Sequence, residues 1–176
     1  MDGEVFYLYR HEGQIEKSDT DNNLHCFHSR VFTPFFSYIC KDRKTKDYND
    51  FYTELRWRVA SFGRLIIYYV EQNGCLAHTS FCTPQSFKFP FMKKNDYHIG
   101  PCFTDEQFRG RALYAKVLKH IVSDIRKDPS AGEIYMIIDR DNHASREGVK
   151  KAGFQEVAIL SRKGRLKKYY VEKWLQ

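Results

Sequence analysis

The sequence predicts an α/β (α+β) domain, a mixed and mostly antiparallel sheet flanked by helices, and three patterns carry that prediction. Two strand-like runs, residues 65–70 and 75–81, flank Gln72-Asn73-Gly74, and Asn-Gly is the strongest short hairpin signal. The strand-like run 97–104 is followed by a turn and then by Leu113, Val117, Leu118, Ile121, Val122 and Ile125, which recur at helical spacing on one face. Another apolar strand, 133–139, comes after that helix, so the sheet gains one parallel crossover.

The remaining elements come in order. Residues 4–9 alternate enough to be an opening strand, and the polar, turn-rich residues 11–23 predict a connection; residues 24–46 give no readable pattern. From Asp47 onward Phe51, Leu55 and Val59 recur four apart, which predicts one helix ending at the Ser61-Phe62-Gly63 break. After the hairpin, residues 84–95 form a loop with two prolines; the long helix runs from about residue 110 to 128 and stops at Pro129-Ser130-Ala131-Gly132. A short helix over about 144–152 ends at Gly153, and residues 155–161 and 166–174 flank a basic turn as a last hairpin.

At 176 residues and 21.0 kDa the chain fits one domain, 1–176, large enough to bury a core without staples. Hydrophobic residues at 42% and charged residues at 29% exclude a disordered chain. The five cysteines (Cys26, Cys40, Cys75, Cys82, Cys102) include no C-x-x-C pair and no metal-ligand spacing, so reduced thiols and no metal site are expected. The acidic start and the lack of any apolar run near 18 residues predict a cytoplasmic protein with no membrane span. A net charge of +7 is compatible with nucleic acid, an anionic surface or a multiply anionic cofactor, and does not choose among them.

What chooses is the turn Gln107-Phe108-Arg109-Gly110-Arg111-Ala112, between strand and helix. The first N–H groups of a helix have no internal partners and carry the positive end of its dipole, so they attract anions. Gly110 allows close backbone approach, Ala112 keeps the second position small, and Arg109 and Arg111 add positive charge, so a diphosphate fits there. An ordinary helix entry would look similar; a second pattern, Asn142-His143-Ala144-Ser145 through Gly153-Phe154, lies beyond the next strand and raises the weight of the first.

With both in order, the chain resembles the GNAT acetyltransferase superfamily, whose central motif is Q/R-x-x-G-x-G/A and whose next motif is Asn, a small residue and a short helix ending in Gly-Phe. The resemblance covers about residues 64–174 and is specific over 97–154. It implies a GNAT-like acyl-CoA N-acyltransferase fold with acetyl-CoA lying where strands 97–104 and 133–139 splay. The pantetheine arm would pair along Cys102, Phe103 and Thr104, with the pyrophosphate on the amides of Arg109, Gly110, Arg111, Ala112 and Leu113. Asn142 and Ser145 would hydrogen-bond the pantetheine and phosphate region, Asn142 having an N-cap role as its alternative, and Phe103 and Tyr114 would wall the pocket.

In many relatives a Tyr four residues before the Gly of Gly-Phe protonates the thiol; here that position is Val149. His78 ranks first as base, because imidazole suits proton transfer near neutral pH and its strand should neighbour strand 97–104, with His98 and Asp139 behind it. Cys102 as an acyl carrier is the lesser alternative to a buried thiol.

The resemblance thus implies an acetyl-CoA-dependent N-acetyltransferase acting on a small primary amine by direct transfer. An amino-sugar nucleotide leads as acceptor, because residues 78–114 look like small bacterial polysaccharide-biosynthesis acetyltransferases and Tyr68, Tyr69, Phe81 and Phe87 could stack on a sugar face. A peptide, protein or antibiotic-type small-amine acetyltransferase is the enzyme alternative. A catalytically inactive CoA sensor or a nucleic-acid-binding protein is the alternative of another class.

Overall fold

The computed structural model describes residues 4–13, 26–29, 55, 59, 64–86 and 88–175. Among the described residues eight strands are formed: β1 (Val5–His11), β2 (Cys26–Ser29), β3 (Ile66–Gln72), β4 (Cys75–Pro84), β5 (Tyr97–Thr104), β6 (Ile134–Asp139), β7 (Phe154–Lys163) and β8 (Lys168–Trp174). With them, among the same described residues, are two complete helices, α1 (Leu113–Ile125) and α2 (His143–Lys151), and a 3-10 turn at Glu106–Phe108. The strands make one sheet in the order β2-β3-β4-β5-β6-β1-β7-β8, antiparallel except where β5 meets β6. This is the mixed sheet with one parallel crossover that the element order predicts.

The β3–β4 hairpin turns on Asn73 (φ 54°) and Gly74 (φ 69°), the paired positive dihedrals that match strand twist in a two-residue loop. Alternation then sorts β3: Ile66, Tyr68 and Val70 face the helices, while Leu65 and Ile67 form a separate cluster with Leu76 and Phe81. α1 lays Val117, Leu118, Ile121, Val122 and Ile125 onto the first of these faces. Each such side chain stabilises by roughly 1.5–3 kcal/mol on burial. The helix stops at Arg126, whose guanidinium donates to the carbonyls of Ala131 and Gly132 and ties down the turn beyond it. Buried Asp96 joins loop to sheet by accepting from the Lys93 and Glu133 N–H groups at 2.7 and 2.9 Å.

Three features go beyond or differ from the sequence expectation. The opening strand, whose place the sequence left open, lies inside the sheet: β1 is between β6 and β7, with Phe6 opposite both Asp139 and Leu160. α1 begins at Leu113, not 110, because Gly110 (φ 77°) and Ala112 (φ 55°) are both left-handed and a helix cannot pass through them. A strand, β2, occupies part of the stretch that gave no pattern and pairs with β3. The helix expected to run from Asp47 falls outside the described residues apart from Leu55 and Val59, which are helical. Among the described residues no helix is long and apolar enough to cross a membrane.

Candidate active site

β5 and β6 pair only at Tyr97↔Ile134 and His98↔Tyr135 and then part, so a gap opens toward their C-terminal ends. β5 carries one extra residue there: Ile99 opposes Cys82 and Cys102 opposes Ser80, three residues on β5 against two on β4. Such a bulge re-aims the side chains beyond it. Ile99 and Cys102 therefore both pack toward the helix-bearing side of the sheet, which strict alternation would forbid.

At the mouth of the gap the chain passes from Thr104 through the 3-10 turn into α1. Arg109 folds back, its Nε donating to the Thr104 carbonyl at 3.1 Å, and Arg111 lies over the Phe108 ring at 5.7 Å. Gly110 and Ala112 are exposed, a Cβ on Gly110 would meet nothing within 4 Å, and α1 has no side-chain cap. The helix thus presents uncovered first-turn amides beside two guanidinium groups, the arrangement that holds an anion. Leu113 is buried and Tyr114 half-buried.

The cofactor-region residues divide accordingly. Cys102, Phe103 and Thr104 are half-buried on β5 beyond its pairing with β6. Asn142 takes its capping alternative: its Oδ1 accepts the Ser145 N–H at 3.1 Å and opens α2. Asn142 is exposed and Ser145 half-buried at that helix start.

The three base candidates are separated. His78 sits opposite Thr104 with no exposed surface, Nδ1 2.7 Å from Thr104 Oγ1 and Nε2 2.7 Å from Ser80 Oγ. Burial pushes its pKa down to about 3, so the ring is neutral and both nitrogens are occupied. His98 stacks on Phe89 at 4.3 Å, its pKa lowered to about 3 by burial and then by Lys88. It faces away from α1, among the cluster under the 84–96 loop. Asp139 is exposed at the end of β6, one carboxylate oxygen accepting the Asp141 N–H at 2.9 Å. Of the three, Asp139 alone is exposed.

The sugar-stacking residues also move. Tyr68 and Phe81 are core residues, exposed by 1% and 3%, and Tyr68 donates to Asp124 Oδ2 at 2.6 Å. Tyr69 is half-buried, and Phe87 lies outside the described residues. Val149 is fully buried and brings no polar atom to the gap. Sequence reasoning missed Ser80 and Gly148. Ser80 joins His78 to Cys102, and the Tyr114 ring rests against Gly148 so closely that a Cβ there would come within 2.5 Å of it. A glycine inside a predicted helix was the available signal.

α2 is held in place from the sheet. Arg146 donates to Tyr9 Oη (3.0 Å), to Glu156 (3.3 Å) and to the Arg140 carbonyl (3.2 Å), and covers the Tyr7 ring at 4.4 Å. A separate cavity of about 370 Å³, lined by Arg64, Pro84, Lys94, Tyr97 and Asp128 among others, lies at the opposite end of β5 and is no part of this site. Among the described residues no group of three or more His, Cys, Asp or Glu side chains is placed to hold a metal.

No family model matches the sequence, and no curated protein matches it closely. Solved structures do match. A GNAT-family acetyltransferase from Colwellia psychrerythraea superposes with a TM-score of 0.62 at 12% identity, over 87% of this chain and 53% of its own. A predicted acetyltransferase from Clostridium acetobutylicum, solved with acetyl-CoA, gives 0.52 at 16% identity, over 87% of this chain and 94% of its own. The glucosamine N-acetyltransferase region of a fungal multi-domain β-N-acetylglucosaminidase gives 0.61 at 9% identity, over 90% of this chain and 20% of that one. The chain spans about half the length of the first of these. At such identities the likeness speaks to architecture: the splayed sheet and its crossover helix are the fold of the GNAT acetyltransferases.

Proposed function

We propose that the protein is an acetyl-CoA-dependent N-acetyltransferase that moves an acetyl group directly to a primary amine, with an amino-sugar nucleotide as the leading acceptor class. The observation that carries the reading is the gap between β5 and β6, which ends at the uncovered N-terminus of α1 with Gly110 and Ala112. An extended pantetheine amide can pair with an unpaired strand edge. The helix amides, with Arg109 and Arg111, suit a pyrophosphate. A neighbour of this fold was solved with acetyl-CoA, and another is named for glucosamine acetylation; both support the cofactor and acceptor class.

In this reading Cys102, Phe103 and Thr104 line the pantetheine arm and the first-turn amides through Leu113 hold the phosphates. Asn142 and Ser145 set the start of α2 beside it. Asp139, the exposed one of the three candidates, takes the proton from the amine. The enzyme contributes chiefly by holding the amine against the thioester carbonyl.

The test is calorimetric titration with CoA and acetyl-CoA, followed in the same preparation by thiol release on an amine panel containing amino-sugar nucleotides, peptides and antibiotic amines. Binding with turnover on the amino-sugar members supports the reading. Binding without turnover on any amine would make the protein a CoA sensor, and affinity for nucleic acid that falls with salt and ignores CoA would make it neither.

A further inference from the structure

The cavity of about 370 Å³ at the N-terminal end of β5 carries charge of both signs in its lining. Lys94 and Asn95 come to it from the loop before β5, Asp128 and Ser130 from the turn after α1, and Arg64 and Leu65 from the chain entering β3. β5 is 8 residues long and α1 is 13, so the cavity lies roughly 20 Å or more from the gap at their other ends. No small ligand fills both.

The polar part of the lining is held by bonds of its own. Asn95 Nδ2 donates to the Ser130 carbonyl at 3.0 Å and the Gly132 N–H donates to the Asn95 carbonyl at 2.8 Å, so the loop and the turn are locked together. Ser130 then donates twice to Asp128 Oδ1, from Oγ at 2.7 Å and from its N–H at 2.9 Å. The Ser130 hydroxyl, with the N–H behind it, holds the Asp128 carboxyl below its ordinary pKa, and the group is ionised at neutral pH.

These bonds leave three groups unspent. Asp128 keeps Oδ2, Asn95 keeps Oδ1, and Lys94 makes no ion pair among the described residues. Two acceptors whose side chains are tied down call for an N–H donor, whereas Lys94 beside Arg64 calls for an anion. A ligand of one sign satisfies half of the lining: phosphate would face Asp128, and a simple amine would face Lys94 and Arg64. An ammonium and a carboxylate in one small molecule satisfy both. Leu65, Ile66 and Pro84 leave an apolar wall for whatever else that molecule carries. At about 370 Å³ the space is near the lower end of the roughly 300–1,000 Å³ of small-molecule sites, which suits a ligand of amino-acid size.

We propose that this cavity is a second small-molecule site and that it takes a free α-amino acid with an apolar side chain. The ammonium is received by Asp128 Oδ2 and Asn95 Oδ1, the carboxylate by Lys94 and Arg64, and the side chain by Leu65, Ile66 and Pro84. Binding there is non-covalent and makes or breaks no bond in the ligand. It does not depend on the acetyl-transfer reading, since none of these residues belongs to the gap between β5 and β6, and the failure of either leaves the other standing.

The experiment is a titration of the isotope-labelled full chain with L-leucine, L-methionine and L-phenylalanine, followed by amide chemical shifts. The expected result is saturable binding of at least one of them with a Kd of about 5 mM or below, with shifts in the amides of 94–97 and 128–132 and none in 109–114. The N-acetyl derivative of the amino acid that binds lacks the ammonium, and its amino alcohol lacks the carboxylate; each should bind about five-fold or more weaker. Asp128→Asn keeps an oxygen for both Ser130 bonds and Lys94→Ala removes a surface cation, so each should leave Tm unchanged and weaken binding about five-fold or more. No saturable binding of any of the three amino acids would overturn the proposal. So would shifts confined to 100–104 and 109–114, which would make the amino acid a ligand of the gap, or wild-type affinity in both variants.

Discussion

The Tyr114 ring lies directly on Gly148: a Cβ at that glycine would stand 2.5 Å from Tyr114 Cδ1 and 2.9 Å from Cε1. The two helices can approach beside the gap only because position 148 has no side chain. Gly148→Ala therefore sets two effects against each other. Alanine favours a helix interior by about 0.5–1 kcal/mol over glycine, whereas forcing a ring aside in a packed site costs about 1–3 kcal/mol. The ring is anchored by Cys102 and His78 and cannot yield cheaply, so a net destabilisation of about 1–2 kcal/mol is expected in chemical denaturation, with a reduced kcat.

At the turn before α1 the expected effects have opposite signs two residues apart. Ala112 holds φ 55°, which costs an L-residue roughly 1–2 kcal/mol. Ala112→Gly relieves that strain against a smaller loss of backbone entropy and should stabilise by about 0.5–1 kcal/mol, a Tm rise of about 2 °C, with acetyl-CoA affinity retained. Gly110→Val introduces strain at φ 77° and places a branched side chain in the open space over the turn. It should lower Tm and weaken acetyl-CoA binding at least ten-fold by calorimetry.

The Arg146 cluster makes a stability prediction away from the chemistry. Its guanidinium satisfies Tyr9, Glu156 and the Arg140 carbonyl while covering Tyr7, and Tyr9 donates in turn to Glu156 at 2.9 Å. Arg146→Ala leaves the part-buried Glu156 carboxylate without its cation, held only by the Tyr9 hydroxyl, and frees the Arg140 carbonyl, at a cost of about 2 kcal/mol. Arg146→Lys should recover less than half, because an ammonium cannot reproduce the planar fork.

Stability should fall with acid before the carboxylates titrate. His78 and His98 have folded pKa values of about 3, against an ordinary value of 6.5, and His11 is lowered by burial as well. Between those limits the unfolded chain binds protons that the folded chain refuses. The stability is fully present above pH 6.5 and declines as pH drops toward 3, by roughly 1 kcal/mol per pH unit for each such group. Urea midpoints between pH 7 and 4.5 would measure it, and His98→Phe should make the decline shallower.

Much of this was legible in the residues, and the misses have physical reasons. Asn73-Gly74 specifies its hairpin through dihedrals that few other pairs tolerate, and the stripe from Leu113 to Ile125 specifies α1 through a periodicity local to the chain. The place of β1 was not legible, since seven alternating residues specify a strand but not that it inserts between two strands more than a hundred residues away. The burial of His78 was not legible, because nearly all of β4 is buried on both faces. In such a strand a polar residue no longer marks the wet side. The turn of Cys102 toward Tyr114 depends on a bulge that opposes three residues to two, which a single strand cannot announce.

The central claim, that acetyl-CoA occupies the gap between β5 and β6 with its phosphates on α1, is tested most directly by hydrogen–deuterium exchange with and without saturating acetyl-CoA. The predicted result is slowed exchange in the amides of 109–114 and along 100–104, with little change in β7 and β8. Unchanged exchange in 109–114, or protection confined to another part of the molecule, would contradict it.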